Sequence, residues 1–410
     1  MRMFKSTFFA LLLTFSFAAS AFGDAPASFY FHGSGYGHGV GLSQMGARSM
    51  ALVGQNSEQI LKYYYKDIAI EKFDDSKILR INIGHLLSTA KLSTITKELP
   101  LQISQGDLFD QSDVSTLTQA DSITFSIIGS TVSPRVSLGK TVQVLPRNKV
   151  FTVRWSGTRY LEGPEAVIAL AHSGLTHKYR YGQMQVKAVK TPLGYRLEIT
   201  NSVRLADEYL WGVSEMPSSW PAAALEAQAI ASRTYAFSKA GVYRSTCDCD
   251  LYGEISDQRF LGYAKEIEKK YGVLWKETVT RTSGLVITHN AKPITAYFFS
   301  SSGGKTELAI NAWGSARGYT QIVDDPGSLD ITLNPRFVAW DREVTQSVVA
   351  AAFLLPDVVT LDILSINESG TVAQIQATSS NGTQVRLRGE TFRSRTKIPS
   401  AWFDLVSVQN

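Results

Sequence analysis

The sequence predicts an α+β protein rich in β-structure, and three observations support that fold class. Hydrophobic residues make up 44% of the 410 residues and charged residues 19%, so the chain can bury a core. Short alternating runs separated by turn residues fill much of residues 76–200. One long alanine-rich segment, from about residue 221 to 240, has a helical pattern. At about 150 residues per domain, this length predicts two or three domains.

Residues 1–23 have the pattern of a cleaved secretory signal. Arg2 and Lys5 precede an apolar run over residues 8–17, and Ala19-Ser20-Ala21 offers small residues for cleavage. The run is short for a bilayer span, which needs about 20 residues, although an uncleaved anchor helix is the alternative. We therefore expect an exported protein of the periplasm, cell envelope or medium, with no stable membrane span after signal cleavage.

Charge and cysteine content exclude several functional classes. Without Arg2 and Lys5, 39 basic residues face 36 acidic ones, a net charge of +3. Because this balance gives no basic stripe, we expect no nucleic-acid partner. It suits a weak preference for an anionic surface such as a bacterial envelope polymer. Two cysteines are too few for a disulfide-rich scaffold or a four-cysteine zinc site.

Residues 24–75 form the first predicted unit, which opens with a glycine-rich run. Glycine recurs at every second position from Gly33 to Gly41. In extended backbone this spacing removes the side chains from one face, so another backbone or a ligand can approach closely. Ser43 is expected to cap a helix to about Val53, and Ser57 a second helix through residue 65.

Residues 76–200 are predicted to be a β-rich accessory region, and no charged cluster there indicates a function. Residues 201–410 form the last predicted unit. Its long helix is expected from about Pro221 to Ala240, with Ser218 or Ser219 as the cap. Short β-like runs return over residues 346–410.

Glu215 is the first candidate for catalysis. Pro217 and Pro221 interrupt the backbone around it, so it lies in a rigid turn near Trp211 and Trp220. A carboxyl group near apolar aromatic rings tends to have a raised pKa, which suits a general acid. The field of the following helix would lower that pKa. The alternative is a carboxylate that only caps the helix.

Two further polar groups are candidates for ligand binding. Gln228, Arg233 and Tyr235 share the long helix, where a structural role is the alternative. The segment 300–306 offers serine hydroxyls and glycines after a strand-like run. It lacks the glycine spacing of a phosphate loop and the companion motifs of penicillin-binding serine enzymes.

Histidine and cysteine pairs are the remaining candidates. His32 and His38 can bind a metal or make hydrogen bonds near a ligand, but no nearby acid completes a metal site. In an exported protein we expect Cys247 and Cys249 to form a disulfide, with free thiols or a metal as the alternatives.

These clusters together resemble the stage II sporulation protein D and amidase-enhancer family. The residues that carry the resemblance are Tyr209, Leu210, Gly212, Val213, Glu215, Met216, Pro217, Trp220, Pro221, Leu225, Ala227, Gln228, Ala229, Ala231, Arg233, Thr234, Tyr235, Ala236, Asp257, Gln258, Thr282, Gly284, the 300–306 segment, Trp313 and Trp340. The run from His32 to Ala47 matches the histidine-glycine motif of the family. The resemblance covers residues 28–75 and about 200–345 well, 346–410 moderately, and 76–200 not at all.

The position of the histidine-glycine motif differs from the sporulation members, in which it closes the domain. Here it opens the chain, which indicates a circular permutation. We therefore expect strands at 28–31 and 402–408 to lie side by side, and the motif to face the cleft of Glu215.

The resemblance implies lytic cleavage of peptidoglycan glycan strands, with strands stripped of their stem peptides as the expected substrate. Glu215 matches the catalytic glutamate of the family, as general acid and base for cleavage between MurNAc (N-acetylmuramic acid) and GlcNAc with an anhydro-MurNAc product. The residues expected by analogy to line the sugar groove are Gln228, Arg233, Asp257, Gln258, Ser301, Ser302, Thr306, His38 and Gln44.

Three further expectations follow from the resemblance. The position of Ala223 is often acidic in the family, so that acid is not essential here. Some members bind zinc through cysteines and histidines, which this chain's cysteine pattern does not reproduce, so we expect no metal and no cofactor. The alternative function is a non-catalytic amidase enhancer or wall-binding protein, with a cell-wall amidase as a partner.

Overall fold

The computed structural model describes residues 24–107 and 117–409. The expected secretory signal, residues 1–23, lies outside the described residues. The protein combines several sheets with a small set of helices, so the predicted α+β, β-rich fold class is confirmed.

The strands and helices follow in chain order. The strands are β1 (Ser28–Gly33), β2 (Leu42–Ser43), β3 (Ile68–Lys72), β4 (Ile78–Leu87), β5 (Thr89–Thr94), β6 (Leu101–Gln105), β7 (Thr118–Ala120), β8 (Ser122–Ile128), β9 (Thr131–Leu138), β10 (Thr141–Val144), β11 (Val150–Arg154), β12 (Ile168–His172), β13 (Leu175–Tyr179), β14 (Gln183–Thr191), β15 (Gly194–Arg204), β16 (Leu251–Tyr252), β17 (Leu285–His289), β18 (Lys292–Pro293), β19 (Phe298–Phe299), β20 (Trp340–Thr345), β21 (Thr360–Ile366), β22 (Val372–Thr378), β23 (Gln384–Arg388) and β24 (Phe403–Gln409). The helices are α1 (Gln44–Leu52), α2 (Ser57–Tyr64), α3 (Leu210–Gly212), α4 (Ala222–Lys239), α5 (Tyr263–Glu266), α6 (Gly272–Arg281), α7 (Ala309–Trp313), α8 (Gln346–Phe353) and α9 (Gly389–Thr396).

The two predicted helices of the first unit form, and local capping explains their starts. The Ser43 hydroxyl accepts from the Gly46 N–H and begins α1 as expected. The cap of α2 is Asn56 rather than Ser57, because Asn56 and Gln59 form a reciprocal capping box. Each helix is therefore fixed at its start by a side chain.

The glycine-rich run is a looping segment, so the extended-backbone interpretation is wrong. Four of its glycines, at positions 35, 37, 39 and 41, have positive φ angles that other residues adopt with strain. The expected close approach does occur. A Cβ on Gly41 would lie 2.2 Å from the carbonyl oxygen of Tyr297. The run therefore winds against the segment that precedes the serine- and glycine-rich residues.

Two antiparallel sheets build the β-rich region. A six-stranded sheet has the order β10-β9-β8-β5-β12-β13, and a seven-stranded sheet has the order β16-β4-β15-β14-β11-β6-β7. Strand β16, from the segment after α4, joins β4 in parallel. The sheet of the β-rich region thus continues directly into the segment that carries the candidate site.

Helix α4 is the long helix expected from the alanine-rich pattern, and it is buried along most of its length. Pro221 occupies its N-cap position without a side-chain hydrogen bond, so the prediction of Ser218 or Ser219 as the cap is wrong. The Ser218 side chain instead donates to Glu268 at 2.7 Å. Strand β17 and helices α1, α2 and α6 pack around α4, which places its polar residues at the centre of the molecule.

The ends of the described chain meet in a three-stranded sheet with the order β20-β1-β24. Ser28 lies opposite Gln409, and Gly33 opposite Phe403, in an antiparallel register. The two strands expected to be neighbours therefore lie side by side. The circular permutation from which we derived that pairing stays a prediction.

Buried apolar side chains form two large clusters. The first runs from Leu42 to Tyr319 and unites the β-rich region with α4 and its neighbours. The second joins Phe29 and Phe31 of β1 to residues 337–403. No helix within the described residues is long and apolar enough to cross a membrane.

Candidate functional site

Glu215 lies in a short turn between α3 and α4 that is pinned to a neighbouring loop. The Ser214 N–H donates to the carbonyl of Arg259 at 2.8 Å. The Arg259 N–H donates to the Glu215 Oε1 at 2.6 Å. Val213 and Phe260 form an antiparallel bridge directly beside these bonds. The carboxyl group therefore has a fixed position, and its side chain is partly open to solvent.

The surroundings raise the pKa of Glu215 to about 7. The main cause is burial, since a carboxylate loses hydration among packed protein atoms. The Arg259 N–H and the charges of Arg259 and Lys265 oppose that effect because they favour the charged form. Burial wins, so the group can hold a proton near neutral pH and also release it, which a general acid and base requires.

Lys265 is bonded to the backbone of the Glu215 turn, and sequence reasoning missed it. This lysine is 2% exposed, and its Nζ donates to the carbonyl of Met216 at 2.7 Å and to Glu268 at 2.6 Å. Glu268 in turn accepts from the Ser218 hydroxyl. Burial lowers the pKa of Lys265, and the nearby carboxylates offset part of that shift. A lone lysine in a polar stretch carries no motif, so no sequence signal marked it.

A chain of amide and hydroxyl groups connects the first unit to the loop beside Glu215. The Gln44 amide donates to Gln228 at 3.2 Å, and Gln228 donates to the Ser232 hydroxyl at 2.9 Å. The Gln258 amide donates to the Ser232 carbonyl at 3.4 Å and accepts from the Tyr209 hydroxyl at 2.7 Å. Gln258 directly precedes the residue that binds Glu215. These buried groups satisfy one another and position the loop.

Asp257 is held by four donors and is nearly closed to solvent. Its carboxylate accepts two bonds from Arg244, at 2.8 and 3.0 Å. The Tyr235 hydroxyl donates to it at 2.7 Å, and the Tyr252 N–H at 2.9 Å. The arrangement favours a role in shaping the loop that ends at Arg259.

Cys247 and Cys249 form a disulfide at the other end of that loop. Asp248 between them is fully buried and pairs with Arg80 and Lys187 of the β-rich sheet. The Cys249 N–H donates to the carbonyl of Arg244. The loop is thereby anchored to the accessory region.

Arg233 occupies the interior of the protein, with 0% of its surface exposed. Its guanidinium donates to Asp75 at 2.7 Å, to the Thr282 hydroxyl at 3.2 Å and to the Val279 carbonyl at 3.0 Å. These contacts join α4 to the end of α6 and to the first unit. The arrangement favours a structural role over direct contact with a ligand.

The serine- and glycine-rich segment packs against the first unit through a buried aspartate. The Ser302 hydroxyl donates to Asp325 at 2.7 Å, and the Tyr64 hydroxyl donates to the other oxygen of Asp325 at 2.9 Å. The Thr306 hydroxyl donates to the Gln321 carbonyl at 2.8 Å. The Ser301 hydroxyl is buried without a hydrogen-bond partner. The Ser301 hydroxyl is therefore a buried polar group of this segment that is available to a ligand.

His38 lies among aromatic rings, with ring centroids 5.0 Å from Trp313 and 5.8 Å from Phe299. Its Nδ1 accepts from the Val40 N–H at 3.1 Å. Burial, and next the charge of Arg393, lower its pKa to about 3, so the ring is neutral at neutral pH. His32 lies on β1 and pairs with Asp341 at 2.9 Å. No group of three or more metal-ligating side chains occurs within residues 24–107 and 117–409.

A pocket beside the Glu215 turn does not include Glu215. It has a volume of about 550 Å³, and its walls include Trp211, Tyr263 and Lys276. Lys276 pairs with Glu266 at 2.8 Å and lies over the Trp211 ring at 4.1 Å. Lys276 and Glu266 of this pocket already pair with each other. We therefore place the candidate site at Glu215, where the perturbed carboxyl group is.

The predicted site residues therefore fall into three groups. Glu215 is the partly open, perturbed acid, and Gln44, Gln228, Asp257 and Gln258 support the loop beside it. Ser301, Ser302, Thr306 and His38 lie where the first unit meets the 297–328 region, and Arg233 is interior. Direct contact of these residues with a glycan stays a prediction.

Comparison with known proteins gives a consistent family assignment for the region around Glu215. The family model described as "Stage II sporulation protein" matches residues 194–289. Stage II sporulation protein D of Bacillus subtilis (strain 168) is 36% identical over 132 residues, which cover 29% of this chain and 38% of that protein. Its counterpart in Bacillus amyloliquefaciens is 28% identical over 219 residues, 48% of this chain and 59% of the relative.

A second kind of relative has a different name. The protein named "Amidase enhancer" of Bacillus subtilis (strain 168) is 35% identical over 107 residues, which cover 26% of this chain and 13% of that protein. In these three comparisons the chain spans less than two thirds of the length of each relative. The matched family segment runs from β15 to β17 and contains Glu215, α4 and the loop of Arg259.

Proposed function

Because the chain belongs to the stage II sporulation protein D and amidase-enhancer family, we propose that it is a lytic transglycosylase of the bacterial cell wall. It cleaves the bond between MurNAc and GlcNAc in peptidoglycan glycan strands, with peptide-stripped strands as its substrate. The proposal places it in the cell envelope or outside the cell, in line with the predicted secretory signal.

The observation that carries this proposal is the fixed carboxyl group of Glu215 with a pKa of about 7. Protonated Glu215 gives its proton to the glycosidic oxygen as the bond from that oxygen to the MurNAc ring carbon breaks. The positive charge that develops on the sugar then lies near a newly formed carboxylate, which stabilises it. Two hydrogen bonds to the Arg259 backbone keep the turn in place through this step.

A single carboxyl group suffices for the second half of the reaction. The MurNAc 6-hydroxyl oxygen attacks the same ring carbon, and its proton passes to the Glu215 carboxylate. The products are a strand with a free GlcNAc hydroxyl and one with an anhydro-MurNAc end, and the enzyme regains its starting protonation. No water is consumed, so the second carboxylate that glycoside hydrolases use is not required.

The supporting residues have positioning roles in this mechanism. Lys265 and Glu268 hold the turn that carries Glu215. The amide chain from Gln44 to Gln258, together with Asp257 and Arg244, fixes the loop that binds the carboxyl group. Rigid placement of the acid is worth as much as its pKa, because misplacement by about 1 Å costs roughly a hundredfold in rate.

The test compares the protein over residues 24–410 with its Glu215→Gln variant on intact and peptide-stripped peptidoglycan. Glutamine keeps an oxygen for the Arg259 N–H but cannot transfer the proton. We expect mass spectrometry to find anhydro-MurNAc ends from the unaltered protein only, and more of them from stripped strands. Equal release by both proteins would refute the assignment of Glu215.

A second candidate function is enhancement of a cell-wall amidase without cleavage by this chain. The name of one relative, "Amidase enhancer", favours it. In that case the protein would bind the wall, release no anhydro ends, and raise the rate of an added amidase, with Glu215→Gln behaving like the unaltered protein. The two functions therefore differ in whether the variant changes the outcome.

A further inference from the structure

Arg259 differs from its neighbours because its side chain is free while its backbone is fully engaged. The backbone N–H and carbonyl both bind the Glu215 turn. The side chain is exposed. Within the described parts of the chain, no hydrogen bond or ion pair engages its guanidinium. By contrast, the two other cationic groups of this region, Arg244 and Lys265, are paired with carboxylates.

The guanidinium lies close enough to Glu215 for its charge to act on that group, but the two side chains do not form an ion pair. Arginine presents a planar fork of donors that matches a carboxylate. An unpartnered arginine side chain whose backbone is bonded to a candidate catalytic acid can therefore serve as an anion-recognition group. An anion bound there would lie beside Glu215.

The chemistry of the proposed substrate offers one such anion. Each MurNAc carries a lactyl group whose acid is amide-linked to the stem peptide in intact peptidoglycan and becomes a free carboxylate once that peptide is removed. We infer that Arg259 binds this lactyl carboxylate and thereby selects glycan strands without stem peptides. The inference deepens the proposed function and rests on it.

Electrostatics explain why the site would favour a free lactyl carboxylate over a neutral lactyl amide. A lactyl carboxylate that approaches Glu215 brings a negative charge to a partly buried site, which is unfavourable without a cation. The Arg259 guanidinium supplies that cation and a charge-assisted hydrogen bond. A neutral lactyl amide gains neither, and its attached peptide must also fit beside the turn. Loss of one such bond lowers affinity by roughly tenfold to a hundredfold.

The test measures binding rather than cleavage, so it does not depend on turnover. Peptide-stripped strands are compared with the same strands after conversion of their lactyl carboxylates to carboxamides. All proteins carry Glu215→Gln to prevent cleavage, and sedimentation with the strands gives the affinity. We expect the Glu215→Gln protein to bind carboxylate strands about tenfold or more tightly than carboxamide strands.

Further substitutions assign that preference to one side chain. Addition of Arg259→Gln removes the preference, and Arg259→Lys retains part of it because the charge remains. The matched control is Arg135→Gln, which removes an exposed arginine on β9 of the accessory sheet and keeps the preference. Since Arg259 is exposed, its substitution leaves the thermal unfolding midpoint close to that of the parent.

Two results overturn the inference. One is equal affinity of the Glu215→Gln protein for the two kinds of strand, including the case of no binding to either. The other is a preference that survives Arg259→Gln. Both are independent of whether the unaltered protein releases anhydro ends, so failure of this inference is distinguished from failure of the proposed cleavage.

Discussion

At the residue scale, the proposed function depends on how burial and two neighbouring residues act on one carboxyl group. Burial raises the pKa of Glu215, while Arg259 and Lys265 limit that rise. A larger rise would hinder release of the proton, and a lower pKa would leave the acid ionised before it meets the substrate. A pKa of about 7 is in the range that both halves of the proposed reaction require.

The first prediction concerns the pH dependence of cleavage. Because the first step requires protonated Glu215 and its pKa is about 7, kcat/KM falls as pH rises through about 7. Initial rates of anhydro-end release, measured from mildly acidic to mildly alkaline pH, check this. A rate that stays constant across that range would contradict the assignment of the acid.

The second prediction concerns stability and follows from the same shift. A carboxyl group whose pKa is raised from 4.5 to about 7 on folding stabilises the fold below pH 4.5 relative to alkaline pH, and this contribution is lost as pH rises through 7. Glu215→Gln removes that dependence. From acidic to alkaline pH, we expect the free energy of unfolding of the unaltered protein to fall by about 1–3 kcal/mol more than that of the variant.

Denaturant unfolding at the two pH values measures that difference in the free energy of unfolding. Glu254→Gln serves as a control because Glu254 is exposed, on the loop near the site. If Glu254→Gln alters the pH dependence of the free energy of unfolding as much as Glu215→Gln does, the effect does not belong to the candidate acid.

The third prediction tests Lys265 as a positioning residue. Lys265→Met keeps most of the buried volume but removes the bond to the Met216 carbonyl and a cation near Glu215. We expect kcat to fall about tenfold, comparable to the loss of one charged hydrogen bond. The alkaline limb of the pH profile moves upward, because the remaining surroundings favour protonated Glu215 more strongly.

Two further variants separate this role from a structural one. Lys265→Arg retains the charge and restores the position of the alkaline limb. Lys270→Met, at an exposed neighbouring position, leaves both rate and pH profile unchanged. A lower rate without any shift in the pH profile of Lys265→Met would contradict the role assigned to its charge.

Sequence reasoning finds some residues of the site and misses others for physical reasons. Glu215 is identifiable because prolines and aromatic residues surround it within a few positions. Lys265 and Arg259 act through contacts with residues 49 and 44 positions away, which no local pattern reveals. Arginine is a common ligand-binding residue type, which made Arg233 a candidate. Its partner Asp75 is 158 positions away, and their ion pair lies in the interior of the protein.

At the element scale, local chemistry explains which segments could be predicted. Helix α4 could be predicted from its alanines and from Pro221 at its start, and helix α1 from the cap at Ser43. The two-residue strands β2 and β19 pair with each other across more than 250 positions, so no periodicity marks them. Glycine alternation has the period of a strand, whereas the positive φ angles of this run follow from its fit against residues 297–302.

The fourth prediction belongs to the contact between α1 and α2. A Cβ on Gly46 would lie 1.7 Å from the Tyr64 hydroxyl oxygen and 2.0 Å from Asp325 Oδ1. Gly46→Ala therefore breaks the bond between Tyr64 and Asp325 and lowers the free energy of unfolding by about 1–3 kcal/mol or more. Denaturant unfolding measures this loss.

Gly54→Ala is the matched control for that substitution. Its Cβ would meet open space, and only the positive φ of this position is unfavourable, at a cost of about 1 kcal/mol. An equal effect of the two substitutions would show that close packing at Gly46 does not fix the first unit.

At the scale of the whole molecule, the two large apolar clusters stabilise different parts of the structure. The first cluster contains the surroundings of Glu215 and the accessory sheets. The second contains β1, β24 and the last helices and strands. The candidate acid and the pairing of the chain ends therefore depend on different cores.

The fifth prediction tests this division. Phe403 of β24 is buried against Phe31 and Phe392, with ring centroids at 5.5 Å from both. Phe403→Ala lowers the free energy of unfolding of that region by about 3–5 kcal/mol. We expect hydrogen exchange to lose protection in β1 and β22 while β14 and β15 keep theirs.

Val406→Ala is the control for Phe403, because Val406 lies on the same strand and is 64% exposed. It should leave protection unchanged. A uniform loss across both clusters after Phe403→Ala would show that they unfold as one unit.

In the proposed mechanism, Glu215 alone transfers the proton in both halves of a cleavage without water. The most direct measurement digests peptide-stripped strands in water enriched in the heavy oxygen isotope and determines the mass of the new MurNAc ends by mass spectrometry. We predict anhydro-MurNAc ends that contain no heavy oxygen, formed by the unaltered protein and absent with Glu215→Gln. Reducing ends that carry heavy oxygen, or unchanged products from the variant, would contradict the claim.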